Sequence, residues 1–173
     1  TRHEIITGNS NKMSTIPDGS INLIVTSPPY PMIEMWDEMF SLQNPEIKTD
    51  LENGEGYAAF LKMHSILNAV WKECDRVLAE NGFVCINIGD ATRTLGENFQ
   101  LFSNHTQIIN QFVGMGFKSH IPVILALARA TENTPTIFPL VLYAFIPNVA
   151  LGVIERCYRI NAVGVLAAIH ATP

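Results

Sequence analysis

Within five positions, Thr26-Ser27-Pro28-Pro29-Tyr30 brings together two hydroxyls, two consecutive prolines and a phenol ring. Pro28 and Pro29 each hold φ near about −65° and remove an amide hydrogen, so the segment is stiff and extended. Ser27 Oγ and the Pro28 carbonyl are then acceptors on a rigid frame, and Tyr30 sets an aromatic face at a fixed offset from them. Acceptors beside an aromatic face suit a flat ligand that carries an amino group. A nucleobase turned out of its helix answers that description, stacking on the ring while its amino hydrogens meet the acceptors.

Other chemistry-bearing residues are sparser. Asp90 follows a strand-like run and suits either a ligand contact or a plain turn. His64 falls on an apolar helical stripe, as a core histidine does, and His3, His105, His120 and His170 show no metal-ligand spacing. Met32, Met35 and Met39 are expected to line a core or pocket, and Trp71 to pack. Cys74, Cys85 and Cys157 are widely spaced, with no CxxC pair. They read as small buried groups in a reducing, cytoplasmic setting. None follows a proline as a C5-cytosine methylase nucleophile does.

These residues need a scaffold that holds the 26–30 loop still. Ile21–Val25 is a compact β-branched run between the turn Pro17-Asp18-Gly19-Ser20 and Ser27-Pro28, and suits a strand covered on both faces. Between Gly56 and Asn81, Tyr57, Phe60, Leu61, His64, Leu67, Trp71, Cys74 and Leu78 follow one helical stripe, with Asn81-Gly82 as its stop. Phe83–Ile88 is a second buried strand, closed by Gly89-Asp90. A weaker helix runs over Phe102–Val113 and a third strand over Phe117–Leu127. His3–Thr7 is a short β-type run. Strand and helix alternate as in an α/β layered sheet, and in such sheets ligands bind beyond the carboxyl ends of the strands, where Ser27 falls.

The ordered motifs resemble a family. Thr26-Ser27-Pro28-Pro29-Tyr30 is similar to the catalytic motif of S-adenosylmethionine-dependent DNA amino-methyltransferases, in which Asp, Asn or Ser precedes Pro-Pro and an aromatic residue. The serine form with a preceding threonine resembles enzymes that methylate cytosine N4; the aspartate form is more typical of adenine N6 methylation. Gly8-Asn9-Ser10 and Ile16-Pro17-Asp18-Gly19-Ser20-Ile21-Asn22-Leu23-Ile24 resemble the family's lead-in, and Val77-Leu78 with Gly82-Phe83 through Ile88-Gly89-Asp90 its next helix and strand. The resemblance runs from residue 4 to about 125 and implies a Rossmann-like methyltransferase sheet of the permuted type. By it, Ser27, Pro28, Pro29 and Tyr30 are catalytic, Ser27 as acceptor and not nucleophile. Trp36 is a second wall for the base, and Asn9 and Asp90 lie at the cofactor, S-adenosyl-L-methionine. DNA is the implied partner.

Two features depart from that pattern. Asn9 stands where the family usually has an acid, and no glycine-rich Phe-x-Gly-x-Gly-like loop occurs in the sequence. The resemblance thus covers the catalytic half, with the cofactor loop expected from a partner segment or subunit. Residues 126–173 form a separate apolar tail, with Arg129, Glu132, Glu155, Arg156 and Arg159 as its charged residues. One reading is a frameshift or early stop; another makes the chain an inactive remnant that binds a partner through this tail. Residues 133–154 carry no charge, but Pro135, Pro139 and Pro147 favour short buried strands over a membrane span. The 173 residues, 47% of them hydrophobic and 16% charged, specify a globular domain. A net charge of −5 supplies no basic field for gripping DNA.

Overall fold

The computed structural model describes residues 4–119, with Val123–Ile124, Val141–Phe145 and Ala167–Ile169 beyond them. At its centre β1 (Ile21–Thr26) runs parallel to β2 (Leu78–Ile88). Between them come a 3-10 turn (Glu34–Trp36), α1 (Asp37–Gln43), α2 (Glu46–Glu52) and the long α3 (Gly56–Val77). A hairpin of β3 (Ala91–Leu95) and β4 (Asn98–Phe102) follows, then α4 (Asn104–Gly114). The short strands β5 (Val123–Ile124), β6 (Val141–Phe145) and β7 (Ala167–Ile169) join β1 and β2 in a five-stranded sheet of order β5-β6-β2-β1-β7. Among the described residues β1–β2 is the parallel pair; β6 joins β2, and β7 joins β1, antiparallel.

The layered α/β architecture agrees with the sequence pattern, and several boundaries differ. The predicted helix ends four residues early, at Val77, because Leu78 already adopts extended dihedrals and pairs with Ile21. The register then jumps to Leu23↔Phe83. Residues 79–82 therefore bulge from the ladder with Asn81 at φ 65°, so Asn81-Gly82 turns a strand instead of capping a helix. Phe102 closes β4, and the helix predicted from it starts at Asn104. Of the predicted strand 117–127, Val123–Ile124 is a strand, paired antiparallel to β6, while Phe117 and Lys118 are outside any strand and 120–122 and 125–127 lie outside the described residues. Residues 4–7 form no strand: Ile5 is 91% exposed, and a strand without a neighbour leaves its backbone groups to water.

The core lies between α3, α4 and the two parallel strands. Ala59, Phe60, Met63, His64, Leu67, Trp71, Cys74 and Val77 form the buried face of α3. Tyr57 and Leu61, placed on that stripe by spacing, are exposed instead. Trp71 meets the Phe112 ring of α4 at 5.6 Å, and Phe60 meets Phe102 at 5.4 Å. Burial raises the Cys74 thiol to about 12, leaving it inert as a nucleophile. Phe83 to Ile86 are all buried, as the unbroken apolar run requires.

The approach to β1 is tied to the end of α3. Arg76 donates to Glu73, Asp18 and the carbonyls of Met13 and Ile16. Glu73 in turn accepts from the Met13 amide at 2.6 Å, and the Arg76 pair, with that amide, holds its carboxyl down to about 2. The predicted turn at Pro17–Ser20 forms, with Gly19 at φ 62° and its amide on the Arg76 carbonyl.

Candidate active site

β1 ends at Thr26, and the next five residues pass over the end of the sheet. Pro28 and Pro31 are buried, and Ser27, Pro29 and Tyr30 are half-buried. Ser27 Oγ lies 3.4 Å from Tyr30 Oη, with either atom able to donate. Among the described residues no carboxylate or imidazole hydrogen-bonds Ser27, so nothing there would make it a nucleophile. The Pro28 carbonyl takes no hydrogen bond among the described residues. The Tyr30 ring lies over Gly89: a Cβ built there would stand 3.4 Å from a Tyr30 ring carbon. The ends of the two parallel strands therefore meet at Tyr30.

Past Tyr30 the chain turns sharply. The Ile33 amide bonds the Tyr30 carbonyl at 3.2 Å, and Met32 sits at φ 68°. A left-handed methionine is costly, on the order of 1–3 kcal/mol, and persists where its surroundings enforce it. Here Met32 is 1% exposed and its amide points at Met63 Sδ, 3.4 Å away.

A buried amide joins the two strand ends. Asn104, the first residue of α4, is 0% exposed. Its Nδ2 donates to the carbonyl of Pro31 at 3.1 Å and to that of Gly89 at 3.0 Å. Its Oδ1 faces His64 Nε2 at 2.9 Å, so His64 carries its proton on Nε2. His64 Nδ1 has no partner among the described residues. Burial lowers the His64 imidazole from 6.5 to about 4 and keeps it neutral. Spacing alone had made His64 a core histidine; a buried imidazole needs a polar partner, and that requirement was the signal for a residue such as Asn104. Nothing in the local pattern Ser103-Asn104-His105 distinguishes it from ordinary helix-start composition.

The remaining predicted site residues are dispersed. Asp90 follows Gly89, and its Oδ1 accepts from the His105 amide at 3.2 Å and faces His105 Nδ1 at 2.6 Å. It thus supports the start of α4 while Oδ2 has no hydrogen bond among the described residues. Asn9 is exposed, its Oδ1 accepting from the Asn11 amide at 3.1 Å in a local turn. Trp36 is half-buried against the core at the end of the 3-10 turn. Met32 and Met39 pack into or against the core, whereas Met35 is 73% exposed. Beyond this turn Asp37 and Arg93 form a two-pronged ion pair at 2.6 and 2.8 Å, fastening the β3–β4 hairpin to α1. A surface cavity of about 660 Å³ adjoins that pair, lined by Ser41, Leu42 and Leu51 among others, and holds none of the predicted site residues.

Residues 21–125 match the family model described as DNA methylase, of the N6 and N4 methyltransferases. The chain belongs to this family. Among curated relatives of the chain, the type II methyltransferase M.MthZI of Methanothermobacter thermautotrophicus is 47% identical over 139 residues. M.MjaI of Methanocaldococcus jannaschii, also a type II methyltransferase, is 46% identical over 149 residues. Each alignment covers 80% of this chain, which spans 38% and 48% of those two relatives' lengths. Solved structures of TTHA0409 from Thermus thermophilus, described as a DNA modification methylase, share the fold. One superposes with a TM-score of 0.54 at 23% identity, covering 83% of this chain and 52% of that one. Another, complexed with S-adenosyl-L-methionine, gives 0.58 at 17% identity, covering 88% and 58%. The chain therefore has a methyltransferase-like α/β fold, as its motif order implied.

Proposed function

We propose that the protein transfers a methyl group from S-adenosyl-L-methionine to the exocyclic N4 amino group of cytosine in a specific DNA sequence, as a type II modification methylase of the cytoplasm. The observation that carries this reading is the acceptor pair, Ser27 Oγ on Tyr30 Oη and the Pro28 carbonyl, at the strand end. The amine of cytosine is a weak nucleophile because its lone pair is delocalised into the ring. Two acceptors on its hydrogens localise that pair and aim it, which is catalysis by positioning and electrostatics. A Ser27 proton directed at Tyr30 Oη leaves the Oγ lone pairs to the amine. Tyr30 stacks on the flipped base, Pro28 and Pro29 keep the loop from relaxing, and Trp36 forms a second wall.

The residues at the strand ends fit the cofactor. Asp90 keeps Oδ2 for a ligand donor, and Gly89 has no side chain to obstruct the space beside Tyr30. Asp90 would hold the cofactor there, with a glycine-rich loop from a partner segment or subunit, whereas Asn9, in its exposed turn, would reach it only from outside the strand ends. The cofactor would supply an electrophilic sulfonium methyl group and leave as the neutral thioether, while the methylated amine gives up one proton to solvent.

Serine at position 27 with Thr26 before it favours cytosine over adenine N6. The Ser27→Ala variant tests the scheme: methyl transfer falls by on the order of 100-fold or more, while cofactor affinity measured by titration calorimetry holds. Full activity in that variant overturns it. A wild-type protein that folds yet binds no S-adenosylmethionine would instead favour a non-catalytic subunit acting through its apolar tail.

A further inference from the structure

We infer that Asn104 is a positioning residue for this reaction, setting the spacing between the Ser27–Tyr30 loop and the end of β2. The inference rests on the function proposed above. An Asn side chain has two N–H donors and one carbonyl acceptor. Here both donors are spent on backbone carbonyls of two different loops, Pro31 at 3.1 Å and Gly89 at 3.0 Å. The acceptor faces His64 Nε2 at 2.9 Å. Rotating the amide by half a turn would set its oxygen against two carbonyl oxygens, so the network itself fixes which end is nitrogen.

The two carbonyls bracket the site. Pro31 directly follows Tyr30, and Gly89 is the residue over which the Tyr30 ring lies. Any change in their separation therefore moves the stacking ring relative to the end of β2. The next residue, Met32, holds a left-handed φ of 68° and is buried, its amide pointing at Met63 Sδ. His64 acts one step further back: packed edge-on against Phe60 at 4.6 Å, it presents Nε2–H and holds the amide in register.

Four variants of the full-length protein test this, each assayed below its own unfolding temperature: Asn104→Leu, Asn104→Asp, His64→Leu and His64→Gln. Loss of the clamp lowers kcat in Asn104→Leu and Asn104→Asp by on the order of 100-fold, the usual effect of a misplaced reacting group, with the affinity for S-adenosylmethionine little changed. His64→Leu also loses activity, and His64→Gln restores most of it, because the glutamine amide again donates to Asn104 Oδ1. Unchanged kcat in the folded Asn104 variants overturns the inference, as does a His64→Gln no better than His64→Leu. Should the Asn104 variants fail to fold, the His64 pair decides. If wild-type protein methylates nothing, the proposed function fails, and hydrogen exchange over 27–33 decides the clamp separately. Faster exchange there in Asn104→Leu or His64→Leu than in wild type or His64→Gln supports it, and equal exchange in all overturns it.

Discussion

Ser27 Oγ and Tyr30 Oη stand 3.4 Å apart, and the proton between them decides what Ser27 can offer a substrate. Tyr30→Phe keeps the stacking face and removes the hydroxyl that orients Ser27. A single weak hydrogen bond is worth about 1 kcal/mol, so kcat should fall by about five- to tenfold, measured with labelled cofactor. Tyr30→Ala, which also loses stacking worth about 1–3 kcal/mol, should fall further, mainly in DNA affinity. His64 predicts a pH dependence at the same scale. Its contacts are the Phe60 ring and Asn104, with no charged group bonded to it among the described residues. Above pH 6.5 the imidazole is neutral both folded and unfolded. As pH falls from 6.5 towards about 4, the unfolded chain takes up a proton that the folded chain refuses. Stability is therefore lost across that window, by on the order of 3 kcal/mol. Urea titrations of wild type and His64→Gln at several pH values should show the difference, with a flatter profile in the variant.

The hairpin of β3 and β4 depends on the Asp37–Arg93 pair, whose side chains are 21% and 16% exposed. Arg93→Ala leaves Asp37 without its two-pronged partner and should cost about 1–3 kcal/mol. Arg93→Lys should recover only part, since an ammonium cannot match both carboxylate oxygens; the midpoint of chemical unfolding measures both. This hairpin was not legible from sequence. Residues 91–102 have few apolar positions, and Phe99 and Leu101 point outward, so their alternation marks no buried face. By contrast β1, α3, the heart of β2 and most of α4 were legible, because burial imposes a periodicity on the residue types themselves. Boundaries failed where tertiary pairing outvoted local signals: Leu78 leaves the helix to pair with Ile21, and Asn81-Gly82 then serves a bulge. The stiffness expected of the loop from Ser27 to Tyr30 came from its prolines, whose constraint is local. The bonds that hold the loop, from Asn104 and through His64, span 73 and 40 residues of chain and leave no local trace.

At the scale of the whole molecule, the net charge of −5 provides no field for phosphates. The chain spans less than half of the curated relatives it matches, and the tail 126–173 lies outside the described residues apart from β6 and β7. Among the described residues no helix is long and apolar enough to cross a membrane, and no cluster of potential metal ligands occurs. What remains decisive is the atom that receives the methyl group. Duplex DNA incubated with the full-length protein and isotopically labelled S-adenosylmethionine, digested to nucleosides and resolved by mass spectrometry, reads that atom directly. Label in N4-methylcytosine, abolished by Ser27→Ala, is the predicted result. Label in N6-methyladenine, or N4-methylcytosine formed undiminished by Ser27→Ala, would contradict it.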